Sequence, residues 1–301
     1  MKQRLLITGS AGFLGANLIR FLLFNKKEYE ISGIDKLKDT AYIHNVYMNK
    51  STDFYIADVC DKDIIDKIFG LTKPNIIIYL ASKDHDNILY NNIIGFKNVL
   101  DLSIKHKADK IIYISTTHLY DTSQDIVNED SFLLPTNEYL ISKQCCENLL
   151  ITNKSINYNI IRVPDIFGPR QLHGKVVEMF LDVKGNDNIL LNNKGMIEND
   201  ILHVEDFSNA VSMIIENGKQ NEIYNVTMNC DYTELEIASI VIEILKEGKI
   251  IFNNENIDLT YKSKKIDTSK IKSLGWKPLK KFKDRIKDTV WWFANNTWIF
   301  K

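Results

Sequence analysis

Tyr139 and Lys143 stand four residues apart in the string NEYLISKQCCENLL at 137–150. A phenol that ionises near pH ~10 is a poor base at neutral pH, and a neighbouring ammonium stabilises the phenolate and lowers that value. Such a pair can remove a hydroxyl proton as a hydride leaves the same carbon. The ammonium can also donate to a cofactor ribose. Spacing alone does not select this pair, because Tyr79/Lys83 and Tyr261/Lys265 share it. Tyr79 lies in an apolar, strand-like run, where residues four apart are separated by about 13 Å. Tyr261 lies in a Lys-rich segment without helical periodicity. Tyr139 follows a loop containing Pro135 and Asn137 and opens a helix, on which i and i+4 share a face.

The reacting oxygen needs a further group. IIYISTTHLY (111–120) ends a buried strand in hydroxyls, at the edge where α/β sheets bind ligands. Ser115, Thr116 and Thr117 are all candidates. The hydride acceptor is signalled earlier, in LLITGSAGFLGANLI (5–19). An apolar run breaks at Thr8, Gly9, Gly12 and Gly15 follow at three-residue spacing, and a helical pattern starts with Phe13 and Leu14. Strand, glycine turn and helix N-terminus bring backbone N–H groups and a partial positive charge to a diphosphate. In YEISGIDKL, Asp35 ends the second strand twenty residues beyond Gly15. A carboxylate there accepts from adenosine ribose hydroxyls and repels a 2′-phosphate, which favours NAD over NADP.

Positioning these groups takes a buried sheet. Candidate strands are 4–8, 30–34, 53–57, 75–81, 110–115 and 158–163, and candidate helices are 12–25, 61–70, 90–106 and 137–153. Runs such as NIIIYLA and KIIYIS are apolar on both faces, as in a parallel sheet covered on both sides. Their alternation with helices predicts an α/β, doubly wound fold with right-handed crossovers. DIFGPRQLHG (165–174) reads as a loop leaving the sheet. Helices are expected at 174–183, near 206–217, at 233–247 and at 281–294.

The chain has 301 residues, 45% hydrophobic and 26% charged, with a formal net charge of -1, which gives no electrostatic case for nucleic acid or a membrane surface as partner. None of the four cysteines has metal-ligand spacing, and Cys145 and Cys146 are adjacent, so reduced thiols in the cytoplasm are expected and no metal. The N-terminus enters a strand directly, unlike a signal peptide, and no apolar run is long enough for a bilayer.

Together these residues resemble the extended short-chain dehydrogenase/reductase family, and within it the NAD-dependent epimerase/dehydratase branch that acts on nucleotide sugars. TGSAGFLG, YIADVCD, YLAS, ISTTHLY, YLISK, IRVPDIFGPRQ, NDILHVEDFSNAV, EIYNV and DTSKIKSLGWKP occur in the family's order. The resemblance implies a Rossmann-type NAD-binding domain over 1–165 and a smaller α/β substrate-binding domain over 166–301, with segments near 200–228 packing back on the sheet. It implies that Gly9, Gly12, Phe13, Leu14, Gly15, Asp35, Asp58, Val59, Leu80, Ala81, Ser82, Ser115, Pro164 and Ile166 line the cofactor, the pair Asp58 and Val59 at the adenine. Counting back from Tyr120 puts the hydroxyl at Thr116, with Tyr139 as base and Lys143 on the nicotinamide ribose. It also implies a sugar keto intermediate and a homodimer through the helices at 90–106 and 137–153.

The chain departs from the family in places. The family's 4,6-dehydratases carry Asp-Glu just after the hydroxyl residue; here Thr117 and His118 stand there, which discounts a dehydratase. The loop KDHDNILYNN is short, and Lys83 and His85 fall in it. Asn199 replaces the family's diphosphate-clasping Arg, leaving Arg170, Lys175 or the lysines in 262–265 to compensate, and Asp165 replaces a frequent Asn. Thr117, His118, Asp165, Arg170 and Lys175 are the substrate-side candidates. An NAD-dependent epimerase or 4-oxidoreductase of a nucleotide sugar is the leading reading. A 4-keto-sugar reductase using free NAD(P)H and a non-catalytic NAD-binding homologue are the alternatives.

Overall fold

The computed structural model describes residues 2–25, 29–37, 45, 52–82, 86–121, 123, 126–230, 232–253 and 265–300. Its centre is a seven-stranded sheet of β1 (Gln3–Thr8), β2 (Tyr29–Asp35), β3 (Asp53–Ile56), β4 (Ile76–Tyr79), β5 (Lys110–Thr116), β6 (Asn157–Val163) and β7 (Glu222–Asn225). The order is β7-β6-β5-β4-β1-β2-β3 and every pairing is parallel. The order reverses between β1 and β4, which opens a crevice beyond their carboxyl ends.

Alternation along the strands feeds two cores. Leu5, Ile7, Ile76, Ile78, Ile112 and Ile114 face α1 (Phe13–Asn25) and, further along the chain, the helix Val204–Asn217. Leu6, Ile77, Tyr79, Ile111 and Tyr113 face α2 (Lys62–Thr72), α3 (Ile88–Lys105) and α4 (Glu138–Thr152). With both faces covered, the strands read as unbroken apolar runs. A third core joins α5 (Lys175–Asn186), through Val176, Val177 and Phe180, to α7 (Glu234–Leu245) and α8 (Phe282–Asn295). Helix Val204–Asn217, numbered α6, links the two parts. Its Asp206 is fully buried, and both carboxylate oxygens accept from Arg285 of α8 at 3.1 and 3.0 Å.

Three differences from the sequence expectations have local causes. Asp165–Phe167 is a strand paired in parallel with Ile201–His203, where a loop is expected. Three residues carry too little periodicity to register, and Gly168 and Pro169 follow at once. Glu222–Asn225 adds the seventh strand of the sheet, and it too is only four residues long. β4 stops at Tyr79, before the expected end at 81, because Thr8 Oγ1 takes the Leu80 and Ala81 N–H groups, each at 3.2 Å. Among the described residues no helix is long and apolar enough to cross a membrane.

Candidate functional site

The glycine turn sits at the crevice. Gly9 adopts φ +67°, and a Cβ there would lie 2.9 Å from Ala81 N. At Gly15 a Cβ would fall 2.3 Å from Gly9 O and 2.6 Å from Ser10 Cα, so the helix start can press against the turn without a side chain between them. Phe13 and Leu14 fill the first turn of α1, where N–H groups have no partner one helical turn back. This is the cradle that a diphosphate requires.

Asp35 closes the far side of the turn. Its Oδ2 accepts from Ala11 N at 3.1 Å and its Oδ1 from Leu37 N at 2.9 Å. Burial pushes the carboxyl up, against the pull of those N–H bonds and of Lys36. The residue therefore braces the loop, and each oxygen retains a lone pair for a hydroxyl donor. Asp58 Oδ1 accepts from Cys60 N at 2.9 Å, and Asn98 of α3 donates to the Val59 carbonyl at 3.1 Å, which fixes the 58–60 turn beside β2. Lys36 Nζ lies 3.8 Å from Asp58 Oδ2. Leu80 and Ala81 are part-buried and Ser82 is exposed at the end of β4.

The Tyr-Lys pair projects from the start of α4. Asn137 caps this helix, its Oδ1 accepting from Leu140 N at 2.9 Å. Asn92 of α3 donates to Ser142 Oγ at 3.0 Å, and Ser142 Oγ donates to the Tyr139 carbonyl at 2.7 Å. Lys143 is 7% exposed. Its ammonium donates to the Ile114 carbonyl at 3.0 Å and sits 5.3 Å from the Tyr113 ring and 5.4 Å from the Tyr139 ring. Among the described residues no carboxylate pairs with it. Ser115, on the same strand face as Tyr113, buries an Oγ that meets no partner among the described residues. Thr116 Oγ1 accepts from His118 N at 3.2 Å, so its hydroxyl hydrogen is available to donate. Lys143 and Tyr139 thus stand over the carboxyl-terminal half of β5, the strand that ends in Ser115 and Thr116.

The substrate-side candidates separate into two groups. His118 Nε2 lies 3.2 Å from Asp165 Oδ1, and Lys175 pairs with Glu234. The hydrogen bond from His118, with help from the Lys175 charge, holds the Asp165 carboxyl below the usual range. Thr117 is buried in the turn beneath them, and Pro164 and Ile166 flank Asp165. Arg170 stands apart. Its Nη1 reaches Asn17 Oδ1 at 3.4 Å, and its guanidinium lies 5.6 Å from the Trp292 ring, between α1 and α8. Burial and nearby Arg20 push it down to about 10, which leaves it charged at neutral pH. Lys83, His85, Tyr261 and the lysines at 262 and 264 lie outside the described residues, as does the Asn199 side chain; Lys265 is exposed.

Sequence reasoning missed the polar cluster beneath α4. Arg162 is buried, its Nε and Nη2 on Glu147 at 3.0 and 2.6 Å. Its Nη1 donates to the Tyr120 hydroxyl at 3.0 Å, which donates to Asn225 Oδ1 at 2.6 Å. A lone Arg inside the apolar run NIIRV is the signal that marks it. All four cysteines are free, and burial pushes the Cys60 and Cys146 thiols up to about 11 and about 12. A cleft lined by Lys2, Arg4, Tyr29, Glu30 and Tyr55 lies at the opposite, N-terminal edge of the sheet and holds none of these groups.

The sequence profile of the NAD dependent epimerase/dehydratase family matches residues 5–227. Relatives include the dTDP-D-glucose 4,6-dehydratase of Bos taurus, 28% identical over 98% of this chain and 89% of the relative. The human enzyme of the same name is 28% identical over 98% and 91%. Among solved structures, a UDP-glucose 4-epimerase from Thermotoga maritima with UDP-glucose superposes with a TM-score of 0.88 at 23% identity, covering 98% of this chain and 100% of that one. A dTDP-glucose 4,6-dehydratase from Bacillus anthracis in complex with NAD gives 0.87 at 21% identity, covering 98% and 97%. With a profile matched over most of its length and this edge of the sheet beneath it, the chain belongs to the NAD dependent epimerase/dehydratase family.

Proposed function

We propose that the chain is an NAD-dependent epimerase or oxidoreductase that works on a nucleotide-activated sugar through a keto intermediate. The observation that carries this reading is Lys143: a buried ammonium with one carbonyl, two aromatic rings and, among the described residues, no carboxylate around it. A structural lysine so placed would be a liability. A lysine that must offer N–H groups to ribose hydroxyls and favour a phenolate is served by that vacancy of negative charge.

The residues present fit the cofactor. The Gly9–Gly15 turn and the start of α1 hold the diphosphate, Asp35 the adenosine ribose, and Asp58 and Val59 the adenine. Leu80, Ala81, Ser82, Ser115, Pro164 and Ile166 line the remainder. When bound there, NAD would supply a reversible hydride acceptor. Tyr139 takes the proton of the substrate hydroxyl, and Thr116 donates its hydroxyl hydrogen to the same oxygen. Residues 1–165 carry the cofactor and 166–301 the sugar nucleotide, with Lys175 near its phosphates; Arg170 is committed to joining α1 and α8. Thr117 and His118 supply no carboxylic acid beside Thr116, which favours epimerisation or oxidoreduction over dehydration. A cytoplasmic homodimer through α3 and α4 completes the reading.

Two measurements test it. Denaturing the purified protein should release NAD detectable by absorbance. A UDP-, dTDP- or GDP-linked sugar should raise the melting temperature while its free sugar does not. A cofactor-free preparation with strict NADPH dependence would point to the keto-sugar reductase, and stabilisation by a free sugar alone would contradict the nucleotide-sugar reading.

A further inference from the structure

Beyond the Tyr-Lys-Thr set, the carboxyl edge of the sheet carries a second pair of groups able to move protons. His118 Nε2 and Asp165 Oδ1 lie 3.2 Å apart although 47 residues separate them in sequence. His118 belongs to the one-turn helix Thr117–Leu119 that follows β5, and Asp165 starts the strand that follows β6. In the β5–β6 register Thr116 pairs with Val163, so both chain segments leave the sheet at one place. The main-chain N–H of His118 donates to Thr116 Oγ1 at 3.2 Å, which ties the backbone of His118 to the hydroxyl assigned to the reacting oxygen. Both side chains are open, at 51% and 75% exposure.

The other charged clusters are arranged differently. Arg162 with Glu147 and Arg285 with Asp206 are buried and mutually satisfied. A second His–Asp pair, His106 with Asp66 at 2.6 Å, lies where α3 ends, at the opposite edge of the sheet, and shares its carboxylate with Lys105. Imidazole is the side chain best matched to proton transfer near neutral pH, and a carboxylate on its far nitrogen orients the ring and stabilises its charged form.

We propose that His118, backed by Asp165, is a second acid–base residue of this site, which exchanges the hydrogen on the sugar carbon adjacent to the carbonyl made by oxidation. The proposal rests on the reading given under Proposed function. The carbon–hydrogen bond breaks, the imidazole takes the proton, and the electron pair forms the double bond of an enolate. Thr116 and the protonated Tyr139 donate to the enolate oxygen, and Asp165 balances the imidazolium. Return of the proton to either face restores the carbonyl, so no oxidant or reductant is consumed.

The test incubates the purified enzyme with NAD in D2O, using UDP-glucose, dTDP-glucose and GDP-mannose as separate probes. Cofactor reduction, transient because the hydride is returned, is read by stopped-flow absorbance, and deuterium in the recovered sugar by mass spectrometry and NMR. With at least one probe the enzyme should reduce cofactor and place deuterium on the carbon next to the oxidised one. His118→Gln should lower deuterium uptake relative to cofactor reduction by about 10²-fold, the low end for loss of a positioned base. Asp165→Asn should lower the same ratio less, and His106→Gln should leave it unchanged. Cofactor reduction without deuterium uptake, or an unchanged ratio in both His118→Gln and Asp165→Asn, overturns this proposal and leaves the proposed function standing. No cofactor reduction with any probe overturns the proposed function, and this proposal with it.

Discussion

Lys143 and Arg162 are both buried cations placed beside α4, and the chain treats them in opposite ways. Arg162 is clamped by both oxygens of Glu147 and bonded to Tyr120 and the Glu129 carbonyl. Lys143 has the Ile114 carbonyl and two tyrosine rings, and no carboxylate among the described residues. Taking a charge out of water is costly unless it is paired. The pairing of Arg162 is what a structural cation needs, and the lack of pairing at Lys143 marks a charge kept for a ligand. The rim beyond them is a third arrangement, in which His118 and Asp165 pair in the open and the part-open Lys175 pairs with Glu234.

The sharpest way to break this contrast is chemical. Tyr139→Phe should lower turnover by about 10²- to 10⁴-fold, the range for loss of a positioned general base, with the unfolding transition unmoved. Steady-state kinetics and thermal melting on the same sample check it. On the structural side, Glu147→Gln strands Arg162 in the interior and should cost about 3–5 kcal/mol in urea unfolding. The double variant Glu147→Met, Arg162→Met should recover much of that loss, because it removes both charges. Neither result should be seen for Lys143, which has no carboxylate partner to strand among the described residues.

Much of the cofactor edge was legible because its requirements are local. A glycine turn, an Asp at the end of the next strand and a Tyr-Lys pair on a helix start each fit within a few residues. The buried polar clusters were not legible, because Arg162 meets Glu147 from another element, and Asn225 reaches Tyr120 across 105 residues of sequence. The strands at 165–167 and 222–225 escaped for a different reason: elements this short owe their existence to neighbours, not to their own periodicity. His118 was readable as a residue type, but the bond that makes it interesting depends on Asp165 arriving from the end of another strand.

Smaller effects sharpen the cofactor side. Gly15→Ala forces a Cβ to within 2.3 Å of Gly9 O, so the turn must open. NAD affinity should fall, and overpacking of this kind costs about 1–3 kcal/mol, measurable by calorimetric titration and urea unfolding. Asp35 gives a pH dependence. Burial raises its folded-state value, so the folded protein binds that proton more tightly than the unfolded chain. Its contribution to stability is therefore fully present below the ordinary carboxyl range, and falls as pH rises from about 4 through the raised folded-state value. The stability difference between the native protein and Asp35→Asn, followed by unfolding across that range, should decline with rising pH.

The contrast between the two cations rests on Lys143, and one variant tests it directly. Lys143→Met fills the same space without the charge. NAD affinity by titration calorimetry and thermal melting are measured on one preparation. The melting temperature should hold or rise, since an unpaired buried charge is gone, while NAD affinity and turnover collapse. A variant that melts markedly earlier yet binds NAD and turns over as before would show that Lys143 serves the fold, and would contradict the account.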